Sequence, residues 1–273
     1  MVDLLKLIED ALVATRDVVQ ESIKSGCGLK QKTVGAYGDR SYAFDLLAER
    51  TIINVITDKL EDVAIISEEL GVTGSGNPDY YVLIDPVDGS RNASRGIPIY
   101  STTIVISKSN SSKDIIAGGV IDHVSGEVYL GERNGEIIVP GGKPKLSNVK
   151  SLKDSLLFLN TSSIRDERYR RWAEKIIGNC NHSSFLASTA LEICYILAGR
   201  VDGYVCLGPY LRPFDFLAPV FILELAGGTS KILTVNGVVS EIELSAGREF
   251  GVIAASRQEV VDEISNLRDD TEY

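Results

Sequence analysis

The chain has 273 residues, 44% of them hydrophobic, enough for a substantial core in one large domain or two coupled halves. Thirty-eight acidic against 28 basic residues give a net charge of −10, which argues against phosphate-backbone binding, and so against a nucleic-acid partner, and favours the approach of cations. No stretch reaches the ~20 apolar residues of a membrane span. The opening residues lack the basic flank and long apolar run of a secretion signal. Cys27, Cys180, Cys194 and Cys206 are scattered, with only His123 and His182 as possible co-ligands, so neither zinc nor a disulfide framework is indicated and a reducing cytoplasm is the expected location.

Residues 3 to 23 carry Leu4, Leu5, Ile8, Leu12, Val13, Val18, Val19 and Ile23 at the spacing of an amphipathic helix. The loop from Ser25 to Arg40, with Gly26, Gly28, Gly35 and Gly38, is the candidate for a mobile cover, its Lys30 and Lys32 either contacting a phosphate or keeping the loop soluble. A second helix is predicted over Tyr42 to Leu60, with Phe44, Leu46, Leu47, Ile52, Ile53 and Ile56 as its buried stripe and Asp45 in its first turns. Short strands then dominate: Val63 to Ile66, Tyr80 to Ile84, Thr102 to Ser107, Ile115 to Ile121, Glu127 to Leu130 and Glu136 to Val139. Their turn-rich spacing predicts an antiparallel meander.

After Pro140-Gly141-Gly142 the rhythm becomes one of alternating strands and helices, which divides the chain into an α+β half over 1–142 and an α/β half over 143–273. Strands are expected at Leu156 to Leu159, Tyr204 to Leu207 and Phe250 to Ala254, and helices at Glu167 to Ile177, Leu191 to Leu197 and Phe216 to Leu225. The tail beyond Leu267 is expected to fray.

The stretch Ile84-Asp85-Pro86-Val87-Asp88-Gly89-Ser90 carries the chemistry. A strand that runs into Asp-Pro-x-Asp-Gly can bring Asp85 and Asp88 to one point, with the Val87 carbonyl as a third hard oxygen of the kind Mg²⁺ or Ca²⁺ takes. A helical turn starting at Ser90 would turn backbone N–H groups toward an oxyanion at the same place. On its own the motif also reads as an ordinary solvated turn. The same holds for Ser67-Glu68-Glu69-Leu70-Gly71, which alone is a polar strand end, and for Asp215, which alone is a helix N-cap.

Taken together, Ser67 to Gly71, Asp85 to Ser90, and Phe214-Asp215 followed by a helix and Ala226-Gly227-Gly228 resemble the three motifs of the inositol monophosphatase family, with Ser188-Thr189-Ala190 and Val201-Asp202-Gly203-Tyr204 falling in the family's order. The resemblance implies a layered αβαβα sandwich, a Mg²⁺-dependent and lithium-inhibited phosphomonoesterase using two or three ions, and a homodimer. It implies that Glu68, Asp85 and the Val87 carbonyl hold one Mg²⁺, and that Asp85, Asp88 and Asp215 hold a second. Ser90, where the family usually has threonine, would orient the attacking water. Asp45 would strengthen that hydroxyl as an acceptor, Glu68 would act as base, and Gly89, Ser90, Arg91, Ser188, Thr189 and Arg212 would contact phosphate or substrate.

The segment Leu207 to Arg212 carries no acid where animal members have an inositol-binding glutamate, and with Tyr210 and Arg212 it looks more like the archaeal branch acting on inositol 1-phosphate and fructose 1,6-bisphosphate. Arg91, Arg200 and Arg212 are the candidates for pairing with a second phosphate. Two other readings stand beside this one: a 3'-phosphoadenosine 5'-phosphate phosphatase, and a regulatory member that kept the fold without the reaction.

Overall fold

The computed structural model describes residues 2–26, 31–36, 38 and 40–268. Helix α1 (Leu4–Lys24) starts where Asp3 accepts the Lys6 amide at 3.0 Å, and buries Leu4, Leu5, Ile8, Leu12 and Val19 along one face. Val13 lies off that stripe and is exposed. The expected cover loop contains strands β1 (Gln31–Val34) and β2 (Arg40–Tyr42), which pair antiparallel; Gly28 and Lys30 lie outside the described residues. Helix α2 (Ala43–Thr57) ends three residues earlier than expected. Its buried face carries Phe44, Asp45, Ala48, Glu49, Ile52 and Ile56, while Leu47 points to solvent. The hydrophobic residue is therefore outside and an acid inside.

Strands β3 (Val63–Ser67), β4 (Gly71–Gly74), β5 (Tyr80–Asp88), β6 (Ser101–Ser107), β7 (Ile115–Asp122), β8 (Val128–Glu132) and β9 (Ile137–Ile138) form one sheet in the order β4-β3-β5-β6-β7-β8-β9. The meander is correct from β5 onward. It fails at the start, because β3 and β5 run parallel and β4, too short and glycine-rich to read as a strand, pairs back on β3. The short helix α3 (Ser90–Ala93) follows β5.

The second sheet, in the order β11-β10-β12-β15-β13-β14, mixes parallel and antiparallel pairs. It comprises β10 (Leu156–Leu159), β11 (His182–Ser184), β12 (Gly203–Leu211), β13 (Thr229–Thr234), β14 (Gly237–Val239) and β15 (Phe250–Ala255), with helices α4 (Ser162–Arg165), α5 (Glu167–Asn179), α6 (Thr189–Leu197), α7 (Pro213–Leu225) and α8 (Gln258–Asn266). Strand β12 runs past Gly208-Pro209, and its pairing with β15 slips between Cys206 and Leu211, which accommodates the proline inside a strand.

Alternating residues assign the layers. Val82, Ile84, Ile104 and Ile106 face α1 and α2, packing on Ile8, Leu12, Ile52 and Ile56. Leu83, Val105, Val120 and Tyr129 face the other way, onto Leu191 and Ile196 of α6 and Phe216, Val220 and Phe221 of α7; these helices in turn pack on Tyr204, Cys206, Val252 and Ala254 of the second sheet. Leu157, Leu159, Val205, Ile253 and Ala255 close the far side against Trp172, Ile176, Val260 and Ile264. The result is the expected αβαβα sandwich.

Adjacent glycines of β7 set the spacing of the first three layers. A Cβ on Gly119 would meet Ile8 Cγ2 at 2.5 Å, Leu130 Cδ2 at 2.7 Å and Leu12 Cδ1 at 3.0 Å, whereas one on Gly118 would point the other way, toward Phe221 and Ala218 of α7. Gly119→Ala should therefore force α1 off the sheet and cost about 1–3 kcal/mol, read as a lowered urea midpoint at unchanged m-value. Gly118→Ala, whose nearest contact is 3.4 Å, should cost less.

Candidate active site

The central motif is not a turn after a strand. Strand β5 continues through Pro86 to Asp88, and its pairing with β6 goes from Asp85↔Thr103 to Asp88↔Ser101. Three steps on β5 oppose two on β6, so the strand carries a bulge with one extra residue. Proline fits there because a bulge needs no ladder N–H. The Thr102 hydroxyl fixes the bulge by donating to the Pro86 carbonyl at 2.6 Å. Gly89, at φ +87°, then turns the chain into α3, and a Cβ there would meet the Ile99 carbonyl at 3.0 Å.

Asp85 is 2% exposed, and its Oδ1 is buried with no hydrogen-bond partner. Burial pushes its carboxyl well above the usual carboxylate range, and the charges of Glu68, Asp88, Asp215 and Asp45 push it further. Asp88 is better solvated by protein: its Oδ2 accepts from Ser188 Oγ at 2.7 Å, the Ala190 amide at 2.9 Å and Ser101 Oγ at 3.3 Å. Burial still raises it to about 6, against those hydrogen bonds.

Two acids occupy equivalent positions on different helices. Asp45 is the third residue of α2 and takes the Tyr42 amide on Oδ2 at 2.7 Å; Asp215 is the third residue of α7, behind Pro213 at the helix start, and takes the Arg212 amide on Oδ2 at 2.8 Å. Asp215 is thus not itself the N-cap, a place taken by Arg212, but bonds back to it, and Asp45, in the first turn as expected, is buried while Asp215 is half-buried. Burial raises Asp215 to about 7, with Asp88 adding to the rise and the Arg212 amide and guanidinium opposing it. Burial also raises Asp45, whose Oδ1 has no partner. The Ser90 hydroxyl donates to the Val87 carbonyl at 2.8 Å and lies close enough to Asp45 to oppose that rise.

Glu68 stands in the three-residue turn between β3 and β4, which closes with Gly71 at φ +78°. Burial raises its pKa, Asp215 and Glu69 raise it further, and Arg212 lowers it through an ion pair of 3.2 Å. Arg212 is 5% exposed, so it is a buried counter-charge to Glu68 rather than an arginine at an open mouth. Arg91 is exposed on α3. Arg200 pairs with Glu127 and stacks over Tyr195 at 4.8 Å, among different partners from the carboxylates.

Strands β3 and β5 and helices α2 and α7 thus bring Asp45, Glu68, Asp85, Asp88 and Asp215 within electrostatic reach of one another. Ser188 and Thr189 open α6 beside them, after Ala187 at φ +62°. Ser101, Glu49 and Glu192 were not anticipated. Each had a signal: Glu49 follows Asp45 by four residues on the buried stripe, Ser101 is a hydroxyl at the mouth of an apolar strand, and Glu192 is an acid inside the apolar helix α6, where it takes the Leu186 amide at 2.7 Å.

Among the described residues no group of three or more His, Cys, Asp or Glu side chains is already arranged as a metal-binding set. The donor chemistry nevertheless suits a hard cation. The acids supply only oxygen, they raise one another's pKa, and Asp85 and Asp45 each hold a buried oxygen without a partner.

Residues 3–268 match the profile of the Inositol monophosphatase family, and the chain belongs to that family of phosphoric monoester hydrolases, which is generally Mg²⁺-dependent. A bifunctional NADP phosphatase/NAD kinase of Methanococcus maripaludis is 29% identical over 92% of this chain, although the match spans only 47% of that relative's length. A fructose-1,6-bisphosphatase/inositol-1-monophosphatase of Archaeoglobus fulgidus is 30% identical over 84% of this chain and 86% of its own. The crystal structure of extragenic suppressor protein suhB from Bartonella henselae superposes with a TM-score of 0.80 over 99% of this chain and all of that one, at 18% identity, which speaks for the fold alone. No helix among the described residues is long and apolar enough to cross a membrane.

The raised carboxylates make stability depend on pH with a definite sign. Asp88 and Asp215 bind protons near 6 and 7 when folded but near ~3.9 when unfolded, so their contribution is complete below pH ~4 and is lost as pH rises through 6 to 7. In the presence of a chelator the melting temperature should therefore fall between pH 5 and pH 8. Mg²⁺ at 100 times its Kd should return about 2.7 kcal/mol at pH 8 and much less at pH 5, where protons compete with it.

Proposed function

We propose that the protein is a Mg²⁺-dependent phosphomonoesterase that hydrolyses inositol 1-phosphate, fructose 1,6-bisphosphate or both. The observation that carries the reading is the cluster of mutually repelling acids drawn from three distant segments: buried Asp85, with half-buried Glu68, Asp88 and Asp215 around it. A chain keeps such a cluster at a cost to stability when a cation is its ligand.

Glu68, Asp85, the Val87 carbonyl, Asp88 and Asp215 would hold the metal, two or three ions in all. Once bound, Mg²⁺ supplies positive charge for the phosphate oxygens and the leaving oxygen. The remaining work falls to this chain's own groups. The Ser90 hydroxyl, which donates to the Val87 carbonyl here, would turn its proton to Asp45 once that carbonyl is engaged by the metal, leaving the Ser90 oxygen as the acceptor for the attacking water. Glu68 takes the water's proton, and Arg212 restrains the Glu68 carboxylate in the meantime. Ser188 and Thr189 are buried, with their hydroxyls bonded to Asp88 and Tyr204, so of the side chains expected at the substrate Arg91 is the exposed cation available to a second phosphate. A cytoplasmic homodimer is the expected setting.

A second reading replaces the sugar phosphate with a nucleotide ribose phosphate, and it is favoured by the NADP phosphatase relative that covers 92% of this chain.

Phosphate release with Mg²⁺ from inositol 1-phosphate, fructose 1,6-bisphosphate, NADP and 3'-phosphoadenosine 5'-phosphate tests both. Turnover of either or both of the first two supports the main reading, release only from NADP or 3'-phosphoadenosine 5'-phosphate supports the second, and inactivity on all four overturns both in favour of a binding role. Asp88→Asn keeps an oxygen for Ser188 and Ala190 to donate to, so it should fold normally while losing on the order of 100-fold or more in kcat/KM.

A further inference from the structure

We infer that Glu49 is the positioning residue of the Glu68 turn: its carboxylate, delivered from α2, holds the backbone on which Glu68 is presented. Glu49 is completely buried. Its Oε1 accepts the amide of Glu69 at 3.1 Å and the amide of Leu70 at 3.2 Å, the two residues that follow Glu68 in the turn between β3 and β4. A three-residue turn closed by a positive-φ glycine places its central amides where no strand partner faces them, so a side chain has to supply the acceptor. Here one carboxylate oxygen serves both amides.

The same helix carries Asp45 one turn earlier, on the same face, so α2 fixes two parts of the site with one rigid element. The second oxygen, Oε2, is buried without a partner. A carboxylate retained there despite its desolvation does something an apolar residue of equal size would not. The Ser67 hydroxyl, on the other side of Glu68, donates across the turn to the Gly71 carbonyl at 3.3 Å, so the hairpin closes its ends itself and Glu49 takes the two amides between them.

The inference rests on Glu68 being a Mg²⁺ ligand, and the test separates the two. Mg²⁺ affinity is measured by titration calorimetry on the wild type, Glu49→Met, Glu49→Gln, Glu68→Gln and the double variant Glu49→Met/Glu68→Gln, with thermal unfolding of each. Removing an outer partner of a metal ligand weakens metal binding about 10–100-fold. Glu49→Met should show that loss, whereas Glu49→Gln, which keeps an oxygen for the two amides, should stay within a few-fold of wild type. In the Glu68→Gln background Glu49→Met should add little, because both act through one ligand.

If Glu68→Gln weakens binding but Glu49→Met does not, or if the two losses multiply, the positioning role is wrong and the metal assignment stands. If Glu68→Gln binds Mg²⁺ like the wild type, or the wild type does not bind it, both are wrong. Should Glu49→Met fail to fold, Glu49→Asp, one methylene too short to reach the amides, replaces it under the same criteria.

Discussion

Repulsion among buried carboxylates is the constraint around which this molecule is arranged. Asp85 alone is raised by burial and by four other acids, and moving such a group out of water without compensation is among the costliest things a fold can do. The compensations are local and different for each acid. Asp88 receives three donors, Glu68 receives a guanidinium, and Asp45 and Asp215 each receive the amide that a helix start leaves unused. What remains uncompensated is Oδ1 of Asp85 and of Asp45, and that residue of unmet charge is what a divalent cation would satisfy.

Those compensations also tie the two sheets together. Asp88, on the first sheet, takes its shortest bond from Ser188 at the start of α6. Thr103 of β6 donates to the Phe214 carbonyl of α7 at 2.7 Å, and Asn92 of α3 donates to the Leu186 carbonyl at 2.8 Å. Arg212, where β12 passes into α7, reaches back to Glu68. The site therefore needs both halves of the chain, and the buried core that runs from Leu83 and Val105 through α6 and α7 to Tyr204 and Val252 serves as its rigid backing.

Legibility in the sequence followed physical range. The strand and helix cores were readable because their apolar period is local, and the motif acids were readable because their order matched a family. The bulge at Asp85 to Asp88 was not, since a proline and a glycine suggest that a strand has ended, and only the pairing with Thr103 and Ser101 shows that it has not. Strand β4 was hidden because Gly71 to Gly74 has little to bury, and α8 because its apolar face, Val260, Val261 and Ile264, is short. The stripe of α2 was misassigned at one place: Leu47 was put inside by hydrophobicity, where the structure puts Glu49. Periodicity marks a face but cannot say that a turn twenty residues later will need an acceptor.

That exchange carries a wider consequence for how the site is held. Ligands on loops are placed only as well as the elements behind them, and here the turn bearing Glu68 is gripped by a 15-residue helix as well as by its own hairpin. The same helix presents Asp45, and its Ile52 and Ile56 are packed beneath β5, the strand that carries Asp85 and Asp88. One rigid body thus references the acids of all but the last motif, and the last is referenced to them through Arg212. Variation in substrate among relatives of this fold can then arise in the exposed segment around Arg91 without disturbing the geometry in which a phosphate is cleaved.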